Sequence, residues 1–355
     1  MDITRSFIET AVDKALRDIQ RDPRRSVRNL VDLGQRLSRG KYQSHFLKTA
    51  QRMLEQGDSA YYEVAQRAAG DIDHDVIKTF GINVGYNGLT RGAKRIRELE
   101  AKMGINIPWC ITLEIGHGPE DVALEAIQWL IASGVELGIH TYSVFCHADD
   151  LGMVSRLLAD FPMCAFLAHI LPGTREAILL AELTLYRNAL VMLCTEDPAY
   201  EAAAGLFGKA RCLYGAYTFY DDETVHARMG RPWLDRALAG GGYFASCVAQ
   251  PGTSPWAVER MREYVLAVRN GQREPIFLLE LATDILFIDQ VISAEPCYLG
   301  FTREGYAYTA SALSGENLRT RSLVEILRTL ALSTAQARLQ DGWNGHGSLH
   351  NPVGR

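Results

Sequence analysis

Apolar positions divide the chain into three stretches of different period. In the first, residues 1–78, they recur every three or four residues: Ile8, Val12 and Ala15, then Val27, Leu30, Leu33 and Leu37, then Phe46, Ala50, Met53 and Leu54. That spacing puts one apolar stripe on each helix and predicts a helical leader. Asp22 before Pro23 reads as an N-cap with proline in the first turn, and Gly40 and Gly57-Asp58-Ser59 read as stops.

From 79 to 290 the pattern alternates. Short apolar runs at Trp109–Ile115, Leu137–Phe145, Ala165–Leu171, Ala189–Cys194, Cys212–Phe219, Tyr243–Val248 and Ile276–Leu281 read as strands. Helical stretches fall between most of them, among them Pro119–Ser133, Asp150–Asp160, Thr174–Tyr186 and Pro255–Asn270. Continuous apolar strands separated by helices imply parallel pairing with both sheet faces covered, an α/β fold. Right-handed crossovers curl such a sheet. A closed eight-stranded barrel and an open doubly wound sheet both satisfy the pattern.

The third stretch, 291–340, predicts a hairpin, Cys297–Phe301 against Tyr306–Thr309 around Gly305, and then a helix from Ser322 to Leu339. Residues 341–355 are rich in Gly, Asn and His without apolar periodicity, and are expected to be disordered.

Composition narrows the class. Apolar residues make up 47% of 355, enough for a sizeable core, and no run of about 18 apolar residues exists to span a membrane. The N-terminus lacks a signal-peptide pattern, and the seven cysteines are scattered rather than framed for disulfides, so a cytoplasmic protein is expected. Net charge is -5, yet residues 14–52 hold 11 Lys or Arg against Asp18, Asp22 and Asp32. Such a stripe can face nucleic acid. No aromatic interleaving accompanies it, and a solvated helix face is the expectation.

Candidate chemistry collects at two places. Phe80–Gly88 is glycine-rich and precedes a helix carrying Lys94, Arg95 and Arg97, but its spacing fits no phosphate-loop motif. It reads as a tight connection between leader and barrel, with Asn83, Tyr86 and Asn87 as pocket-lining candidates. Glu114, His140, His147, His169 and Glu196 sit in or just beyond successive strands, where α/β folds keep their ligands. Histidine with carboxylate can hold zinc, which makes Glu114, His140 and His169 a conceivable ligand set. There is no H-x-H or HExxH pair to support it.

Cysteine spacing is the sharpest signal. Cys110, Cys146, Cys164, Cys194, Cys212, Cys247 and Cys297 stand at least 18 residues apart. Asn106-Ile107-Pro108-Trp109 opens the first strand, Gly134–Ile139 leads to the second, Cys164–Ala168 to the third, and the tail reads Glu316-Asn317-Leu318-Arg319 before Ser322–Ile326. In these stretches the chain resembles the radical S-adenosylmethionine superfamily, in the branch with a helical N-terminal leader and a SPASM- or twitch-type tail. The resemblance implies a partial TIM-type barrel, open and six-stranded, with a helical cap and a hairpin-plus-helix remnant.

It also implies what is missing. Where the family runs from strand into a CxxxCxxC loop, this chain reads Ile111–Glu120 straight into a helix. Val291 and Ala310 fall where auxiliary-cluster cysteines are expected, and Phe145–Asp149 replaces the Gly-Gly-Glu-Pro segment that meets the cofactor's amino group. The expectation is therefore a degenerate relative with neither iron–sulfur cluster nor S-adenosylmethionine. It would be a non-catalytic binding or partner subunit for a peptide, a small molecule or an active paralogue. A barrel enzyme with a replaced metal or acid/base mechanism, and an atypical radical enzyme using dispersed cysteines, remain alternatives.

Overall fold

The computed structural model describes residues 3–37, 48, 51–174, 176–293, 295–310 and 312–340. The predicted tail 341–355, the stop at Gly40, and Phe46 and Ala50 of the leader lie outside them.

The leader begins with α1 (Ile3–Ile19), α2 (Pro23–Leu37) and α3 (Tyr61–Asp71). Then α4 (His74–Ile82), a π-helical segment (Asn83–Gly92) and α5 (Ala93–Met103) follow without a break. Asp73 caps this run, its carboxylate accepting from the Asp75 amide at 2.8 Å. The expected tight connection at Phe80–Gly88 is thus helical, and a domain boundary at 78 falls inside a helix. Backbones approach closely along this run. A Cβ added at Gly92 would collide with the Gly138 carbonyl, and one at Gly88 would sit 3.3 Å from Thr141 Oγ1.

Seven strands then follow one another: β1 (Cys110–Ile115), β2 (Thr141–Cys146), β3 (Ala165–Ile170), β4 (Ala189–Cys194), β5 (Tyr214–Tyr220), β6 (Phe244–Ala249) and β7 (Phe277–Glu280). All pair in parallel with their sequence neighbours. The second starts later than predicted because Leu137 ends the preceding helix and Gly138, at φ 106°, turns the chain. The crossover helices are α6 (Leu124–Leu137), α7 (Leu151–Asp160), α8 (Tyr200–Lys209), α9 (Val225–Arg228), α10 (Arg231–Ala239) and α11 (Pro255–Gly271). Between β3 and β4 the expected helix is a 3₁₀ segment, Ala177–Leu185. Its apolar residues run almost continuously instead of striping one face, so no α-helical face is specified.

β7 passes directly into α12 (Leu281–Ile292), capped by Glu280 accepting from the Thr283 amide at 2.7 Å. Then come β8 (Leu299–Phe301), β9 (Tyr306–Tyr308), β10 (Leu313–Asn317) and α13 (Leu323–Gln340). β8 pairs parallel to β1, and the β8–β9–β10 hairpins are antiparallel. The sheet runs β10-β9-β8-β1-β2-β3-β4-β5-β6-β7. Eight parallel strands therefore stand where six were expected, and the tail strands belong to the same sheet. Among the described residues β7 does not pair with the opposite edge, so the sheet is open.

One face of the sheet is turned inward. Phe145 of β2 and Phe219 of β5 are three strands apart, yet their ring centroids are 6.4 Å from each other. Flat strands about 4.8 Å apart would hold them much further away. The other face is packed by helices: Tyr142 donates to the Ile131 carbonyl of α6 at 3.2 Å, and Tyr214 stacks on Phe207 of α8.

The leader closes the N-terminal end of the strands. Arg67 of α3 donates to the Gly242 and Pro275 carbonyls just before β6 and β7, and Tyr61 packs on Phe277 at 5.5 Å. Asn83 and Asn87 reach the loop before β3. At the C-terminal end His117, His147 and Glu196, just past the strands, are exposed. No described helix is long and apolar enough to cross a membrane.

Candidate site at the C-terminal mouth of the sheet

Parallel register places Glu114, Phe145 and His169 side by side on the inward face of β1, β2 and β3. The His169 ring stacks on Phe145 (centroids 4.4 Å) and meets Tyr217 of β5 edge-on at 5.2 Å. His169 is 0% exposed. Its Nδ1 lies 3.4 Å from Ser143 Oγ, and its Nε2 has no hydrogen-bond partner within the protein. Burial pulls its pKa down to about 3, so the ring is neutral.

Glu114 stands higher on β1 and is half-buried. Burial pushes its carboxyl above the usual range, and the nearby Glu304 charge pushes the same way, against Arg303 and a hydrogen bond from Tyr308. Tyr308 lies over Gly300, where any side chain would strike its ring. It also contacts Tyr298, whose hydroxyl is 3.0 Å from Thr112 Oγ1. A polar line thus runs down one wall from Glu114, facing the aromatic wall of Phe145 and Phe219.

Two further ion pairs ring the mouth. Glu196, just past β4, pairs with Arg228 at 2.8 Å and accepts from Thr218 (2.8 Å), Thr195 (3.0 Å) and Cys194 Sγ (3.2 Å). On the opposite rim the loop after β1 folds around Asp121, which accepts from the Gly118 amide at 2.7 Å and from Arg303 at 2.8 Å. Arg303 lies so close to Gly116 that a Cβ there would collide with its guanidinium. Beside it His117, 66% exposed, makes a very short contact through Nδ1 with Asp150, 3% exposed.

The remaining sequence candidates sit elsewhere. Asn83 and Asn87 are 1% and 2% exposed at the opposite end of the sheet. Asn83 donates to the Pro162 and Cys164 carbonyls (2.9 Å each), and Asn87 to Met163 O (3.0 Å) and to Asn83 Oδ1 (2.9 Å). Those amides tie the π-helical segment to the β3 lead-in and do not face the mouth. Tyr86 is half-buried in the same segment. His140 precedes β2 at that end too, donating to Gly138 O at 3.0 Å, with burial lowering its pKa. His147 follows β2 and is exposed. Glu114 and His169 share the mouth; His140 is a strand length away from both. Among the described residues no group of three or more His, Cys, Asp or Glu is gathered as a metal would need.

Sequence reasoning missed Tyr308, His117, Asp150, Arg303 and Asp121. Tyr308 was legible from hairpin parity, since it opposes Gly300. The Arg303–Asp121 pair spans 182 positions and has no local signal.

The cysteines do not form a donor set at the β1 loop. None lies between Gly116 and Asp121, and Cys110, Cys146, Cys164, Cys194, Cys212 and Cys247 are individually buried. Burial pushes the Cys110, Cys146, Cys164 and Cys194 thiols up to about 12, away from the thiolate that iron requires. Among the described residues no three of them are gathered in one place.

The fold is that of an α/β protein with a curled, mostly parallel sheet whose N-terminal strand ends are covered by the helical leader. No protein-family profile matches the chain, and no curated protein matches it. Solved structures of similar architecture include Streptococcus suis SuiB bound to S-adenosylmethionine (8% identity over 67% of this chain and 68% of that one, TM-score 0.48) and SuiB bound to precursor peptide SuiA (8%, 67% and 69%, 0.49). Another is 3-dehydroquinate dehydratase from Geobacillus kaustophilus HTA426 (15% identity, 65% and 91%, 0.38).

Proposed function

We propose that this chain is a radical-SAM-like barrel without cluster chemistry, a non-catalytic protein that recognises a peptide or small molecule at its open mouth, alone or beside an active relative. One observation carries the reading. The loop after β1, from which such a barrel would hang its cluster, has no cysteine and is clamped by Arg303 onto Gly116 and Asp121. The loop after β2, in place of the cofactor's amino-binding segment, supplies Asp150 to His117 instead. Each lost charged hydrogen bond to a cofactor is worth about 1.5–3 kcal/mol, or tenfold or more in affinity.

Anaerobic reconstitution with iron and sulfide, followed by calorimetric titration with S-adenosylmethionine, tests this. The expected result is no stoichiometric iron and no binding at micromolar cofactor. A four-iron cluster, or a dissociation constant below about 10 μM, overturns it.

The His117–Asp150 contact favours a second reading, an acid/base barrel enzyme, since a buried carboxylate holding one ring nitrogen orients the other. A hydrolytic activity abolished by His117→Gln, in a variant that folds normally, would establish it. Unchanged activity in that variant would exclude it.

A further inference from the structure

The mouth is acidic on one wall and aromatic on the other, and the two walls ask for one kind of ligand. On the acidic wall Glu114, Glu304, Asp121 and Asp150 surround one guanidinium, Arg303, whose direct ion pair is with Asp121. Glu114 is left with a neutral hydrogen-bond donor, Tyr308. The aromatic wall is Phe145, backed by His169, with Phe219 across from it. Independently of the carboxylates, His169 Nε2 on this inward face is completely buried and has no hydrogen-bond partner within the protein. With Nδ1 beside Ser143 Oγ, the unpartnered ring nitrogen is Nε2 in either neutral tautomer. A buried polar atom without a partner and an underpaired carboxylate in one cross-sheet row, beside aromatic faces, suit a polar cation on a short apolar stem.

We propose that the mouth binds a ligand bearing a protonated primary amine, with the ammonium paired to Glu114 beside the Tyr308 hydroxyl and its stem against Phe145 and Phe219. This rests on the reading of the mouth as a binding site and adds the charge and chemical class of what it takes. An anionic ligand meets the wrong field. A neutral one leaves Glu114 as underpaired as it found it.

The test uses three probes of four carbons each on the full chain: n-butylammonium, n-butanol and butyrate, titrated by NMR chemical-shift changes at fixed ionic strength. Saturable binding of the amine is expected, at least tenfold tighter than the alcohol and the carboxylate. Glu114→Gln should weaken the amine at least tenfold and narrow the gap to butanol, and Tyr308→Phe should weaken it severalfold. If Glu114→Gln fails to fold, Glu304→Gln, on the exposed turn, decides the question with an expected twofold to fivefold loss for the amine alone. Absence of saturable amine binding, equal affinity for butanol, preference for butyrate, or indifference to both glutamate variants overturns the proposal. Preference for butyrate or butanol would do so while leaving a binding mouth in place. Uptake of a four-iron cluster would instead overturn the proposed function itself.

Discussion

His169 shows how one residue can be costly and still fixed. Its ring is sandwiched between Phe145 and Tyr217, and protonating it there would bury a charge with no carboxylate against it. The folded-state pKa of about 3 lies below the ordinary 6.5, so the unfolded chain takes up the proton first as pH falls. This residue's contribution is therefore complete above pH 6.5 and is lost as pH falls towards 3. Each unit of that window is worth about 1.4 kcal/mol at most. His169→Gln removes the titration, and denaturant unfolding between pH 3.5 and 7.5 should show a shallower acid limb than wild type. Parallel curves would mean that the imidazole is not the group responsible. Glu114, in the same row, is pushed the opposite way by its own burial and by Glu304. Burial thus shifts the two neighbours in opposite directions on the pH scale, each towards its uncharged form.

At the scale of elements, the π-helical segment governs how the leader meets the sheet. Gly92 faces the Gly138 carbonyl with no room for a methyl group, and Asn83 and Asn87 satisfy three carbonyls of the Pro162–Cys164 loop. Gly92→Ala must push the segment away from β2 and stretch those amide bonds. A loss of about 2 kcal/mol or more is expected from overpacking and weakened buried hydrogen bonds together, measurable as a lowered denaturation midpoint. Gly85→Ala, with nothing within 4 Å of the added carbon, is the control and should cost little. Sequence alone made seven of the parallel strands legible, because buried parallel strands are continuous apolar runs bounded by turns. It also gave the first hairpin through Gly305. The π-helical segment was not legible: its glycines resemble turn residues, and only the long-range contact with Gly138 shows that they are there for clearance. Leu281–Ile292 was missed as a helix for a related reason. It begins on the last residue of a strand, so no turn residue separates the two periods. Of the mouth, Glu114, His169 and Glu196 could be named from strand ends. Their partners Tyr308, Ser143 and Arg228 required register and crossovers.

At the scale of the molecule, the open question of any curled sheet is what covers the gap between its edges. Here helix α12 spans it. Trp109, just before β1, donates its amide to Asp289 Oδ1 at 3.0 Å and its indole N–H to the Ile285 carbonyl at 2.8 Å. Cys297, just before β8, donates its amide to Asp289 Oδ2 at 2.5 Å. One carboxyl on the helix leaving β7 therefore fixes the lead-ins of two adjacent parallel strands, β1 and β8, in the far half of the sheet. Burial raises the pKa of that carboxyl to about 7, so the folded chain holds its proton more tightly than the unfolded one. Its stabilising effect is complete below pH 3.8 and declines as pH rises through 7, opposite in sign to that of His169. Single-site variants are needed to separate the two in the window they share. Asp289→Ala strands two buried amides at about 1–3 kcal/mol each. Because both strands lose the same anchor, hydrogen exchange should accelerate together in Cys110–Ile115 and Leu299–Phe301, 188 residues apart at their lead-ins Trp109 and Cys297, while β3 to β5 keep their protection. Acceleration confined to the helix itself, or spread evenly over every strand, would mean that the edges are held by something other than this carboxyl.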